Sequence, residues 1–426
     1  LGPATLGRAS SAEKPDPINV AIIGVGVQGD ALITACLDIP GVRFQAVCDI
    51  WEAFSLRRGA GALKRFGHPA RPYVDYEAML AEEKKLDAVL IATPDFWHAR
   101  HTIACLEAGL HVYCEKEMSN TLEGARQMVE AARKSGKLLQ IGHQRRSNPN
   151  YIFCREKLLD EARLLGRITT VNGQWNRSVK APIGCPKGME IDGATLAKYG
   201  YESMQQLRNW RWYKGLGGGP IVDLGSHQID IYNWFLGARP ASVLASGRNN
   251  YYDETTHQWY DTVMAIYEYD GPRGSVSAFY QTVTTNSGQG YFEMFMGPEG
   301  TLLVSEKAAR CRVYRESWVK EAKWSPWVRK GYLREVAQPV SKKTAPSSVT
   351  LGARETIPAA AYQLPLTMAK RIHQPHLENF FEAIRGDAKL TCPAEVGYET
   401  AVTVLKVNEA AEAGRKLSFA PEDFVV

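Results

Sequence analysis

The sequence predicts an α/β protein: a doubly wound domain over residues 18–143, then an α/β domain over residues 144–426 built on an open, mainly antiparallel sheet. Three observations predict it. The first third of the chain alternates short apolar runs with segments of helical spacing. Those runs lack polar alternation, as strands do when helices cover both faces of a parallel sheet. Beyond residue 143 strand-like runs follow one another, parted by turn signals such as Asp270-Gly271-Pro272 and Gly297-Pro298-Glu299-Gly300.

Ile18 to Gly24 reads as the first strand, with Val27 to Ile39 helical after it. Val42 to Ile50 is the second strand. Tyr73-Val74 marks a short third, followed by a short helix over Tyr76 to Lys85. Asp87 to Thr93 is the fourth strand, Trp97 to Leu110 a helix stopped near Gly109, and His111 to Glu115 the fifth strand. A helix over Leu122 to Ser135 and a sixth strand over Leu138 to Ile141 complete this domain. The second domain shows strand patterns at Gly166–Arg177, Ser242–Gly247, Asp261–Tyr269, Ser275–Thr285, Tyr291–Met296, Thr301–Ser305 and Cys311–Tyr314. Its helices are Pro220–Leu236, Leu377–Ile384 and Glu395–Ala413. Residues 178–214 and 317–365 read as long irregular segments, which in a compact domain serve as lids or subunit contacts.

Composition narrows the function classes. With 45% apolar and 23% charged residues, the 426-residue chain is an ordinary globular one. Its 51 basic and 46 acidic residues are interleaved, and the densest basic spot near any motif is only Arg145-Arg146. Neither a nucleic-acid footprint nor a polybasic membrane arm is expected. No apolar run approaches the ~20 residues of a membrane span. The small-residue-rich stretch from Leu1 to Ala12 precedes Glu13-Lys14-Pro15-Asp16-Pro17. It resembles the end of a secretory signal, or else an ordinary arm. Both a cytoplasmic protein and one exported folded to a bacterial periplasm fit. The eight cysteines show no C-x-x-C spacing, so no metal or redox dithiol is expected, and most read as small buried hydrophobes.

Gly24-Val25-Gly26-Val27-Gln28-Gly29 is G-x-G-x-x-G. The string alone is weak evidence, but here it follows a buried strand and opens a helix. Asp49 lies 20 residues past Gly29, at the end of the second strand, with Ile50 beside it. These are the structural conditions of a dinucleotide site. Gly24 allows the turn, Gly26 lets backbone approach a pyrophosphate, and Gly29 lets helix and strand pack closely. The helix N-terminus favours the anion. Asp49 would accept hydrogen bonds from a ribose diol and disfavour a 2′-phosphate, so NAD is expected over NADP.

Two more motifs stand out. Cys114-Glu115-Lys116-Glu117 ends the fifth strand, where doubly wound sheets bind ligands. On the helix opened by Pro220, Asp223 and His227 are four apart and share a face. A carboxylate there can orient an imidazole and raise its pKa. Taken singly, the lysine could be a surface residue and the histidine a packed one; together with the fingerprint they point to proton and hydride chemistry.

From Ile18 to about Phe419 the chain resembles the glucose–fructose oxidoreductase/inositol dehydrogenase/rhizopine-catabolism (Gfo/Idh/MocA) family. The resemblance rests on the fingerprint, Ala92-Thr93-Pro94 with His98, Glu115-Lys116-Glu117, Asp223-x-x-x-His227, and the stretch from His376 through Asn379 to Gly386. It implies a Rossmann domain, a second domain used for homodimer or homotetramer contacts, and Lys116, Asp223 and His227 as a catalytic triad. In it Lys116 would hold the substrate hydroxyl and His227 act as base. It further implies that Thr93, Pro94, His98, Glu115 and Gln144 join Gly24, Gly26, Val27, Gln28, Gly29, Asp49 and Ile50 around the cofactor. The family's proline after the lysine is Glu117 here. Losing a residue that fixes φ is expected to change how Lys116 is presented, and the adjacent carboxylate to raise the lysine's pKa.

The expected reaction moves a hydride between nicotinamide and a secondary hydroxyl of a sugar, sugar derivative or cyclitol. Arg145, Trp175, Arg177 and Tyr213 join the triad as expected substrate contacts, because aromatic faces with hydrogen-bonding side chains suit a sugar ring. Two alternatives keep the cofactor through a closed cycle: a glycoside hydrolase working by oxidation, elimination and reduction, and a sugar–sugar oxidoreductase. A third is a non-catalytic dinucleotide sensor or sugar-binding protein, against which the retained Lys116, Asp223 and His227 argue.

Overall fold

The computed structural model describes residues 16–178, 182–271, 274–336, 359–366 and 368–426. The expectation for Leu1 to Ala12 lies outside them. β1 (Ile18–Ile23), α1 (Val27–Cys36), β2 (Val42–Cys48), α2 (Arg57–Arg65), β3 (Arg71–Tyr73), α3 (Tyr76–Glu82), β4 (Ala88–Ile91), α4 (Asp95–Glu107), β5 (His111–Cys114), α5 (Leu122–Ser135) and β6 (Leu139–Ile141) alternate along the chain. The strands form one parallel sheet in the order β3-β2-β1-β4-β5-β6. The order reverses between β1 and β4, and the crevice above the strand C-termini at such a point is where ligands bind in these sheets. β1, β4 and β5 are nearly all buried, as their uninterrupted apolar runs require.

The third strand sits two residues earlier than expected. Pro72 lies inside it, which an edge position tolerates because that strand's missing N–H needs no partner. α2 was not expected, since Gly59 and Gly61 weaken helix propensity. A Cβ on Gly59 would lie 3.0 Å from the Val25 side chain, so close helix–loop packing uses that glycine.

The second domain opens with α6 (Pro149–Phe153) and β7 (Thr170–Asn176). α7 (Gly193–Lys198) and α8 (Met204–Arg208) precede the long α9 (Gly219–Leu236). Strands β8 (Pro240–Arg248), β9 (Thr262–Gly271), β10 (Gly274–Val283), β11 (Tyr291–Gly297), β12 (Gly300–Val304) and β13 (Arg312–Arg315) follow. Then come α10 (Glu321–Arg329), β14 (Arg334–Glu335), β15 (Ala360–Gln363), α11 (Gln374–Arg385), α12 (Ala394–Ala413) and β16 (Leu417–Ser418). These strands make a ten-stranded sheet in the order β14-β15-β13-β12-β11-β7-β10-β9-β8-β16. β7 and β10 pair in parallel; the other described pairs in this sheet are antiparallel. α9 and α12 pack on it.

Neither long segment is irregular throughout. The described part of 317–365 holds α10 and two strands that extend the sheet edge. Pro326 inside α10 disguises that helix in the sequence. Residues 182–214 hold α7 and α8, and they reach back over the first domain. Leu196, Tyr199, Tyr201, Trp210, Trp212, Tyr213 and Leu216 form an apolar cluster that packs against Ile50, Phe96 and Trp97 of the doubly wound domain. Trp51 Nε1 donates to the Met189 carbonyl at 2.5 Å and Trp97 Nε1 to the Tyr199 carbonyl at 3.2 Å. All eight cysteines are free thiols, and all but Cys185 are buried. No helix among the described residues is long and apolar enough to cross a membrane. No group of His, Cys, Asp or Glu among them is placed to hold a metal ion.

Candidate active site

One cavity of about 530 Å³ runs from the first βα turn to α9. Gly24, Gly26, Val27, Gln28, Asp49, Ile50, Thr93, Pro94, Glu115, Lys116, Gln144, Trp175, Arg177, Asp223 and His227 all line it. The sequence motifs of both domains therefore converge on one space.

The dinucleotide end fits the group the fingerprint implies. Gly24 has φ +88°, and a Cβ there would lie 2.7 Å from the Ala92 carbonyl carbon, so only glycine makes this turn. A Cβ on Gly29 would come 2.1 Å from the Gly24 oxygen, which sets how closely α1 approaches β1. A Cβ on Gly26 meets nothing, and Val27 is 82% exposed, so the N-terminal turn of α1 is uncovered. Its first N–H groups have no intrahelical partner and are free to meet a pyrophosphate. Asp49 accepts from the N–H groups of Val25 and Trp51 at 2.8 Å each, one on each carboxylate oxygen. That fixes its carboxylate at the cavity wall with further lone pairs available to a ribose diol. Burial raises its pKa, and the two N–H groups and Arg58 oppose that rise.

Gln28 links this end to the rest. Its amide donates to Glu115 Oε1 at 2.9 Å and meets His373 Nε2 at 2.9 Å. His98 stands apart: it does not line the cavity. Its two ring nitrogens meet the carbonyls of Thr93 and Glu117, both at 2.7 Å, so it braces the Thr93-Pro94 loop against the Lys116 loop.

At the other end Lys116 donates to the Asp223 carbonyl at 2.5 Å and to its Oδ1 at 3.1 Å. Arg211 Nε lies 3.1 Å from Oδ1 and Arg177 Nη2 3.3 Å from Oδ2. Despite burial, these cations, Arg211 foremost, hold the Asp223 carboxyl well below the ordinary range. This corrects the expected pairing. Asp223 fixes the lysine and two arginines, and no hydrogen bond joins it to His227 among the described contacts. His227 is accordingly not raised: burial first, then Lys116, Arg145 and His143, hold its pKa well below that of a free histidine. Its Nδ1 is buried without a partner, so Nε2 is the nitrogen open to the cavity.

Glu117 does not reach the lysine as an adjacent carboxylate would. The Lys116–Glu117 peptide is cis. The fully buried Glu117 carboxyl accepts from Met118 N–H at 2.7 Å, and burial pushes its pKa to about 8. It makes no ion pair with Lys116 among the described contacts. Asp95, also buried, is pushed to about 7 by desolvation.

Trp175 faces His227 with ring centroids 5.3 Å apart and stacks on Tyr291 at 4.5 Å. Beneath that stack lies Arg145, 1% exposed, 5.4 Å from each ring and paired with Glu293 and Glu306. Arg145 is thus a buried support for the aromatic wall and not a substrate contact. Tyr213 is also excluded from the lining: it belongs to the apolar cluster of the 182–214 segment, and its hydroxyl accepts from Gln205 at 3.3 Å. Sequence reasoning missed Tyr291, Glu306 and His373, which line the cavity from distant parts of the chain. Only the aromatic Tyr291, opposite Trp175 in β11–β7 pairing, carried any signal in the sequence.

Comparisons with known proteins identify the family. Residues 18–143 match the family model described as an oxidoreductase family with an NAD-binding Rossmann fold, and residues 157–303 match the Gfo/Idh/MocA C-terminal domain. The chain is 31% identical to the D-glucoside 3-dehydrogenase of Escherichia coli over 53% of its length and 56% of that protein. It is 26% identical to the 1,5-anhydro-D-fructose reductase of Ensifer adhaerens over 79% of its length and 80% of that protein. The match thus spans only about half of several curated relatives. The fold is similar to that of levoglucosan dehydrogenase solved with NADH and L-sorbose, at a TM-score of 0.68 and 19% identity over 95% of this chain and 99% of that one. With both of its domains matched in order, and with fingerprint, lysine and histidine on one cavity, the chain belongs to the Gfo/Idh/MocA family.

Proposed function

We propose that the protein is an NAD-dependent oxidoreductase acting on a secondary hydroxyl of a sugar, sugar derivative or cyclitol. The observation that carries this reading is that Lys116 and His227, from different domains, open onto the same cavity as the uncovered N-terminus of α1. NAD, when bound, supplies the hydride acceptor. Gly24, Gly26, Gln28 and Asp49 would hold its pyrophosphate and ribose. His227 Nε2, neutral near physiological pH, takes the hydroxyl proton. Lys116, pinned by Asp223, donates a hydrogen bond to the same oxygen and stabilises its developing negative charge. Trp175 and Tyr291 offer an apolar face to the ring carbons. The sugar and glucoside chemistry of the named relatives supports the substrate class, and the family's NAD-binding model supports the cofactor.

The test is a panel of sugars and cyclitols incubated with the purified protein and NAD, read by the absorbance of reduced nicotinamide. Stoichiometric reduction with at least one member is expected. Bound NAD with glycoside cleavage and no net reduction would replace this reading with a retained-cofactor cycle, which the cover of residues 182–214 over the crevice favours.

A further inference from the structure

Three cations meet one carboxylate at the reacting end of the cavity. Lys116 is committed to Asp223 by two hydrogen bonds. Arg177 meets it through Nη2 and Arg211 through Nε at the nearest approach. Both guanidiniums line the cavity, with side chains 48% and 43% exposed, while the Asp223 side chain is only 11% exposed. Their remaining N–H groups have no acceptor among the described contacts. Of the other carboxyl groups on this cavity, Asp49 takes the Val25 and Trp51 N–H groups, Glu115 takes the Gln28 amide, and Glu306 takes Gln144 and Arg145. Asp95 is buried with no ion pair among those described; it and Glu115 act on Arg211 only through longer-range attraction. The arginines come from separate segments and meet different oxygens of Asp223: Arg177 follows β7 beside Trp175 and meets Oδ2, and Arg211 follows Trp210 and meets Oδ1. Asp223 lies one helical turn from His227, so an anion held by these two forks lies within a sugar ring of the carbon whose hydroxyl His227 deprotonates.

We propose that the substrate is a sugar acid, a hexuronate or uronoside, whose carboxylate is gripped by Arg177 and Arg211. This deepens the oxidoreductase reading and rests on it for the identity of the reacting hydroxyl. A planar carboxylate matches a guanidinium fork in two-point geometry, and the cationic cavity end disfavours no group of such a substrate. A neutral sugar would leave both forks facing hydroxyls alone.

The experiment titrates the full chain, saturated with NADH, by calorimetry. The ligands are D-glucuronate, D-galacturonate and D-mannuronate, their neutral aldoses, and the corresponding hexose phosphates. The same sugars are assayed with NAD for nicotinamide reduction. At least one uronate should bind about 100-fold more tightly than its aldose, within the range that charge-assisted hydrogen bonds give. Arg177→Gln and Arg211→Gln should each lower that ratio about tenfold, and Arg177→Lys should restore part of it. Aldoses that bind as tightly as every uronate overturn the proposal. So do phosphates that outbind the uronates, or a preference that survives in the double variant. Uronates that bind through the arginines while no sugar of the panel reduces NAD uphold the anion site and remove the oxidoreductase reading. A neutral sugar turned over as fast as its acid does the reverse.

Discussion

Lys116, at the end of β5, bonds both the carbonyl and the carboxylate of Asp223 in the first turns of α9, 107 residues away. The interdomain cleft is therefore tied at its chemical centre. Asp223→Asn keeps the carbonyl contact and removes the charge that three cations share. Those cations then repel one another and Lys116 loses its anchor, so kcat/KM should fall about 100-fold or more while secondary structure is kept. Steady-state kinetics with circular dichroism checks this; an unchanged kcat/KM would show that the lysine needs no such anchor.

His227→Ala should leave dinucleotide affinity within about twofold and lower kcat by roughly 10²–10⁴, the usual worth of a positioned base. Because its pKa is held well below that of a free histidine, the base form persists on acidification. The acid limb of kcat/KM should therefore fall below about pH 6.5. A limb at or above that value would mean another group takes the proton.

Asp49→Ala removes a carboxylate that caps two N–H groups and faces the cavity. NAD should weaken at least about tenfold and NADP less, since only the diol loses its partner. Fluorescence titration with both nucleotides decides it; equal losses would contradict the ribose role.

Stability should peak near about pH 6.5. His98 and His143, depressed to about 4 by burial, and the depressed His227 stay neutral in the fold but protonate when unfolded. Their contribution is present above the unfolded histidine pKa and is lost as pH falls through the folded values. Asp95 and Glu117, raised to about 7 and 8, hold protons in the fold that the unfolded chain releases. Their contribution is lost as pH rises toward 8. Thermal melts across this range should show the maximum, and Glu117→Gln should flatten the alkaline side.

Arg145→Met strands Glu293 and Glu306 in the interior beneath Trp175 and Tyr291. A loss of about 3–5 kcal/mol is expected on urea unfolding. A loss under about 1 kcal/mol would mean that the carboxylates neutralise without it.

What the sequence disclosed was whatever depends on neighbours along the chain. The fingerprint glycines, Asp49 and the pair Asp223 and His227 sit at fixed spacings on a turn, a strand end and a helix face, so their convergence could be read before the fold. Arg145 shows the limit. Its residue type suited a substrate contact, but Glu293 and Glu306, 148 and 161 positions away, draw it inward. Tyr213 failed in the same way: an aromatic in the right segment turned toward Trp210 and Leu216. α2 and α10 were hidden because Gly59, Gly61 and Pro326 oppose helix formation locally, and tertiary packing overrides them.

The bridge from residues 182–214 has a kinetic corollary. Phe96 meets Tyr201 at 5.5 Å and Trp97 meets Tyr199 at 5.8 Å, so the two domains are buttoned together along one rim of the crevice. A dinucleotide leaving over that rim has to unzip an oily seam and break the indole bonds of Trp51 and Trp97. Exchange by that route is thereby coupled to a parting of the two domains along that rim.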